Sequence, residues 1–138
     1  MPPRRRLACC LALPLVLSAL SGCGSSNVVP VTGTLKYKGK PVPNVLVNFV
    51  PEAGRPSVGR TDNDGRFTLD YDRTTKGAEL GKHKVYVMLP PGRGATVPGQ
   101  QEVQTGDVRE LLAKYGPDKS KVEVTVDRNT SAISLDWD

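Results

Sequence analysis

The chain has few of the residues that build catalytic and cofactor sites: one histidine, three cysteines and seven aromatic residues among 138. Imidazole catalysis needs a nucleophile or carboxylate within reach of His83. The motifs of serine hydrolases, cysteine enzymes, zinc metalloproteases and phosphate-binding loops are missing. The sequence therefore predicts a protein without a catalytic residue, metal or cofactor. His83 alternates with Lys82 and Lys84, which predicts a solvated histidine or one at the rim of the fold.

The start of the chain has the layout of a secretory signal. Three arginines at 4–6 precede an apolar run of 14 residues, 7–20, and small residues follow at Ser21 and Gly22. As a helix the run would extend about 21 Å, which is too short for a hydrocarbon core of roughly 30 Å, and Pro14 interrupts it. Residues 1–22 are therefore predicted to be a signal that is removed.

Cys23 follows directly after Leu20-Ser21-Gly22, and these four residues resemble the lipobox of bacterial lipoproteins. The resemblance implies that the Cys23 thiol receives a diacylglyceryl group, that the signal is cut before Cys23 and that the new amino terminus is acylated. Membrane lipid is then a partner of the chain. Gly24 is not acidic, and the retention rule known for some lipoproteins then implies the outer membrane, on its periplasmic or surface side. Two alternatives stay open: an ordinary signal with an incidental cysteine, and a twin-arginine export route, which Arg4–Arg6 would fit but the residues flanking them match poorly.

Removal of the signal would change the length, the cysteine count and the net charge of the chain. About 116 residues remain, enough for one domain, and they form no disulfide because Cys9 and Cys10 leave with the signal while Cys23 carries lipid. Sixteen basic residues then face 14 acidic ones, a formal charge of about +2. A nucleic-acid binder would show a clustered basic stripe with aromatic platforms. The lysines here are scattered, so nucleic acid is not expected as a partner.

The remainder of the chain alternates apolar and polar residues in short runs separated by turn residues. Residues 23–28 are interpreted as the lipidated cysteine and its tether. Residues 29–138 are predicted to form an all-β domain, an antiparallel sandwich of about seven strands. Residues 62–65, Asp-Asn-Asp-Gly, indicate a tight hairpin connection. The inward-facing residues are predicted to be Val31, Gly33, Leu35, Tyr37, Val45, Val47, Phe49, Phe67, Leu69, Tyr71, Val85, Val87, Leu89, Val122, Val124, Val126, Ile133, Leu135 and Trp137.

One short helix is predicted near 107–115. Asp107 and Glu110 have the spacing of a capping box, apolar residues follow at helical spacing, and Gly116-Pro117 marks the end. The loop before it, 90–106, is long for so small a domain and is expected to be either functional or disordered.

Several segments together resemble the carboxypeptidase regulatory-like domain, a family of the transthyretin-like (prealbumin-like) β-sandwiches. The resemblance covers most of residues 31–89, and its most specific part is the Thr-Asp-x-Asp-Gly-x-Phe sequence at 61–67. It is carried by Val31-Thr32-Gly33-Thr34-Leu35, Gly-Lys-Pro-Val at 39–42, Asn44-Val45, Thr61 to Leu69, and Gly81-Lys82-His83-Lys84-Val85. The resemblance implies a non-catalytic module that acts as a stalk, an adhesive unit or a carbohydrate-binding unit. The hydroxyisourate hydrolase branch is not expected, because it needs several histidines and a terminal Tyr-Arg-Gly-Ser motif.

Two binding hypotheses accompany this interpretation. Asp62 and Asp64 could supply two oxygens to calcium, although a turn that favours Asp and Gly explains the same residues without an ion. Trp137 and Tyr86 could form a platform on which a sugar stacks, although Trp137 has the parity of the core residues Ile133 and Leu135. The expected role is a structural or protein-binding envelope module, and the alternative is a glycan- or calcium-binding one. An envelope protein or a polysaccharide is the expected partner besides lipid.

Overall fold

The structure, a computed structural model, describes residues 27–91 and 106–138. The predicted signal, Cys23 and most of the 90–106 loop lie outside the described residues. The elements are β1 (Val28–Val29), β2 (Thr32–Tyr37), β3 (Lys40–Pro41), β4 (Leu46–Pro51), β5 (Ser57–Arg60), β6 (Arg66–Thr68), β7 (Ala78–Glu79), β8 (Gly81–Met88), α1 (Gly106–Tyr115), β9 (Val122–Val126) and β10 (Ala132–Trp137). β1 begins at the last residue of the predicted tether.

The strands form two four-stranded sheets and a two-stranded ribbon. In the first sheet β10 lies along one edge of β2, while β3 and β6 pair with β2 at its two ends. The second sheet has the order β5-β4-β8-β9 and is antiparallel throughout. The ribbon pairs β1 with β7. Apolar residues from both large sheets meet between them, so the all-β sandwich predicted from the alternation is confirmed.

The predicted strand count and direction need two corrections. Ten strands are present in the described residues, but three of them have only two residues, which is too short for alternation to reveal. β10 pairs with β2 in parallel, in register from Ala132↔Thr32 to Trp137↔Tyr37. The turn at 127–131 carries the chain from the second sheet to the first, so β10 cannot be the hairpin partner of β9.

The Asp62–Gly65 turn is tight, as predicted, and the chain on its two sides pairs locally through the antiparallel bridge Val58↔Asp70. The main ladders of β5 and β6 nevertheless lie in different sheets. The Asp62 amide donates to the Arg66 carbonyl at 2.8 Å, which closes the turn. The strand before it, β5, pairs with β4 in the second sheet, whereas β6 after it pairs with β2 in the first. The turn therefore connects the two layers of the sandwich.

The core lies between the sheets and contains most of the predicted inward-facing residues. Its side chains alternate along the strands, as a half-buried sheet requires. Gly33, Tyr71, Leu89, Val122, Val124 and Ile133 are only partly buried. The buried apolar residues are Val31, Leu35, Tyr37, Val42, Val45, Val47, Phe49, Phe67, Leu69, Ala78, Val85, Val87, Leu111, Val126, Leu135 and Trp137.

The helix forms where the spacing predicts it and packs against the sandwich through Leu111, which is fully buried. At its end the Tyr115 ring stacks on Trp137, with centroids 4.3 Å apart and planes 18° apart. The predicted capping box is not formed among the described residues: the helix already begins at Gly106, and the Glu110 carboxylate instead accepts from Lys38 at 2.6 Å and pairs with Lys114 at 3.2 Å. Within 27–91 and 106–138, no helix has the length and apolarity that a membrane span requires.

Candidate functional site

An open groove of about 760 Å³ runs along the first sheet and the β5–β6 turn. Its lining comes from β2, β6 and β10, together with Arg60, Asp62, Asp70 and Lys76. We call it the sheet groove. The strand register sets its side chains in rows, because Thr32 pairs with both Thr68 and Ala132 while Thr34 pairs with both Arg66 and Ser134. Side chains opposite each other in paired strands lie about 5 Å apart at Cβ.

Charges line one side of the sheet groove, and most of them are already engaged. Lys76 forms an ion pair with Asp70. Asp62 Oδ1 accepts the backbone amides of Asp64 at 2.9 Å and Arg66 at 2.8 Å, and Arg60 donates through Nε to Asn44 Oδ1 at 2.9 Å. In total the groove is lined by three basic residues and two acidic ones, which gives it an excess of one positive charge.

Three neighbouring polar side chains of the groove remain without a protein partner among the residues described. They are the guanidinium of Arg66 and the hydroxyls of Thr34 and Thr68. Thr34 lies opposite Arg66 in the register, and Thr68 follows two positions along the same strand, so alternation places all three on one face. In contrast, the Thr32 hydroxyl donates to the Ser131 carbonyl, and Ser134 donates to Asp136. Water or a bound ligand must therefore supply the hydrogen-bond partners of these three side chains.

His83 is not where the sequence predicted it. Its side chain is 1% exposed and belongs to the core, with its ring centroid 5.9 Å from that of Phe49. Nε2 lies 2.7 Å from the Glu79 carbonyl, while Nδ1 has no partner among the described residues. The alternation that put lysines on both sides of His83 was correct, but it turns the histidine inward, to the face of Val85 and Val87. The expectation of a solvated or rim position is therefore wrong.

The rings of Trp137 and Tyr86 do not share a surface. Trp137 is 8% exposed and faces the core from the first sheet, where it stacks on Tyr115. Tyr86 is half-buried in β8 of the second sheet, between the inward-facing Val85 and Val87 and therefore on the opposite face. This arrangement excludes the proposed sugar platform. The alternative interpretation, that Trp137 packs with the core, is confirmed.

The carboxylate of Asp62 acts as the acceptor that holds the 62–65 turn, through the two backbone amides described above. This is the structural role that an Asp-Gly turn predicts without any ion. The described residues contain no group of three or more His, Cys, Asp or Glu side chains that could hold a metal ion. Calcium binding by Asp62 and Asp64 stays a prediction.

A second charged cluster fastens α1 to the first sheet. Hydrogen bonds from Lys38 and then Lys114 lower the pKa of the Glu110 carboxyl from 4.5 to about 2, and the same carboxylate raises the pKa of both lysines. Tyr115 donates to the Asp138 carbonyl at 3.1 Å, and Lys114 Nζ donates to the same atom at 3.4 Å. These contacts are all structural, since they tie the helix to the ends of β2 and β10.

Comparison with protein-family models, with curated proteins and with solved structures gave no significant match. Sequence reasoning missed the sheet groove because its residues come from three strands whose neighbours are set by the tertiary fold. The available signal was the run of polar residues facing away from the predicted core at positions 32, 34, 66 and 68.

Proposed function

We propose that the chain is a lipid-anchored lipoprotein of the bacterial cell envelope whose β-sandwich is non-catalytic and serves a structural or protein-binding role. The observation that carries the proposal is the Leu20-Ser21-Gly22-Cys23 sequence, placed after an apolar run of signal length. Attachment of lipid at Cys23 would put the sandwich close to a membrane. Four residues lie between Cys23 and Val28, where β1 begins, so the Cα atoms of these two residues are at most about 17 Å apart.

The environment of the one histidine supports a non-catalytic role. A general base needs an accessible nitrogen within hydrogen-bond reach of the proton it removes. His83 is buried in the core, and its Nε2 is engaged by a backbone carbonyl. The carboxypeptidase regulatory-like family that the sequence resembles supports the same role, since such domains act beside catalytic domains rather than as enzymes.

The anchor is tested by changing Cys23 to Ala in the full chain expressed in a bacterial host. We expect the wild-type protein to sediment with membranes and to carry a mass increase that corresponds to diacylglyceryl and acyl groups. The C23A protein should lack that mass. The matched control changes Cys9 and Cys10 to Ala, because both lie in the segment that the signal would remove and their loss should leave the lipid in place. Normal acylation of C23A, or an unmodified Cys23 thiol in the wild-type protein, would end the proposal.

A further inference from the structure

We propose that the sheet groove binds an acidic polysaccharide, with Arg66 as the residue that holds its carboxylate or other anionic group. The inference deepens the glycan-binding alternative for the sandwich and does not depend on the lipid anchor. It starts from Arg66, Thr34 and Thr68, which lie together on one face with no protein partner in the described chain.

Charge favours an anionic ligand over a neutral one. The carboxylates of the groove are held by partners from the protein itself, Asp70 by Lys76 and Asp62 by two backbone amides. The guanidinium of Arg66 has no such partner within the described residues, and it presents a planar donor fork that matches a carboxylate. The excess of one positive charge in the groove also favours an anionic ligand over a neutral one.

The neighbouring hydroxyls favour a sugar polymer over a small anion. Thr34 and Thr68 flank Arg66 at the separations of a β-sheet, roughly 5 Å across the strands and 7 Å along them. Each hydroxyl both donates and accepts, which suits the hydroxyl groups of a sugar ring. The groove is open along the sheet and has a volume of about 760 Å³, within the range of small-ligand sites, so a chain of sugars can lie along it without being enclosed.

Nucleic acid fits the groove less well. Single-stranded nucleic acid is bound through aromatic side chains on which bases stack. Phe67 is the aromatic residue in the lining, and its side chain is 4% exposed because it packs in the core, where its ring lies 6.3 Å from Phe49.

The test measures binding of the detergent-solubilised full chain to polygalacturonate, a polymer of carboxylated sugars, and to dextran, a neutral one. We expect saturable binding to polygalacturonate that weakens as salt is raised, and at least tenfold weaker binding to dextran. Arg66→Gln should reduce the affinity about tenfold or more, since a hydrogen-bonded charge pair is lost. Thr34→Val and Thr68→Val keep the β-branched shape and should each reduce the affinity a few-fold.

The matched control is Arg109→Gln, which removes the same charge from the exposed face of α1, outside the groove. It should leave the affinity unchanged. Equal binding to both polymers, binding to neither, or equal losses in R66Q and R109Q would each overturn the proposal. Because C23A should bind polygalacturonate as the wild type does, failure of the lipid anchor and failure of this site give different results.

Discussion

Leu111 offers a direct measurement of how strongly α1 is joined to the sandwich. Of the ten residues of α1, Leu111 is the one that is fully buried, whereas its neighbour Leu112 is half-buried. Truncating a buried leucine to alanine removes its burial and leaves a cavity, at a cost of about 2 to 5 kcal/mol. A domain of this size loses roughly 4 to 8 °C in Tm for each kcal/mol. Leu111→Ala should therefore lower the Tm by at least roughly 8 °C, and by up to roughly 40 °C at the upper ends of both ranges.

The chain contains a single tryptophan, and this makes the assay specific to the helix. Trp137 stacks on Tyr115 at the end of α1, so its fluorescence should shift to the red when the helix detaches. In urea titrations we expect L111A to reach its fluorescence midpoint well before the wild type. Leu112→Ala is the control and should cost about 1 kcal/mol. A loss below 1 kcal/mol in L111A, or an equal loss in L112A, would refute the docking of α1 through Leu111.

Three further predictions follow from individual contacts. The pKa of the Glu110 carboxyl, about 2, lies below the ordinary 4.5, so the ionised carboxylate stabilises the fold above pH 4.5 and this stabilisation is lost as the pH falls toward 2. Glu110→Gln should therefore reduce the difference between the urea midpoints at pH 6 and at pH 2.5. The same difference in the variant and the wild type would contradict this prediction. Asp62→Ala should cost about 1 to 2 kcal/mol because two turn amides lose their acceptor, whereas Asp64→Ala should stay within about 0.5 kcal/mol; a calcium-dependent rise in Tm that both variants abolish would favour the ion instead. Gly77→Ala should destabilise the fold by at least about 2 kcal/mol, because a Cβ at this position would lie 1.9 Å from the Val29 carbonyl oxygen. Gly81→Ala is the control and should cost less, because Gly81 has a similar φ but no atom near the position of its Cβ. Equal unfolding midpoints for the two variants would contradict this prediction.

Much of the fold follows from local patterns in the chain. Side chains alternate across a strand with a period of two, so the sequence was sufficient to assign Leu35, Val47 and Val85 to the interior. The helix ends before Gly116-Pro117 for an equally local reason, since proline cannot continue a helix and disfavours helical backbone before it. The predicted lipobox is also local, because it is read from four consecutive residues and needs no fold.

The site shows what local patterns leave open. Arg66 lies opposite Thr34 because β6 pairs with β2, a pairing that the turn between β5 and β6 does not reveal. The parallel pairing of β10 with β2 depends on contacts about 100 residues apart, as from Thr32 to Ala132.

By itself the sequence determined which face each strand buries, where the helix ends and where lipid is expected, because these depend on residues close together in the chain. Only the tertiary structure decided which strands are neighbours, that His83 packs against Phe49, and that Arg66, Thr34 and Thr68 share one surface. The reason is that strand pairing and the closure of the core are settled by long-range packing, and several pairings are compatible with the same alternation.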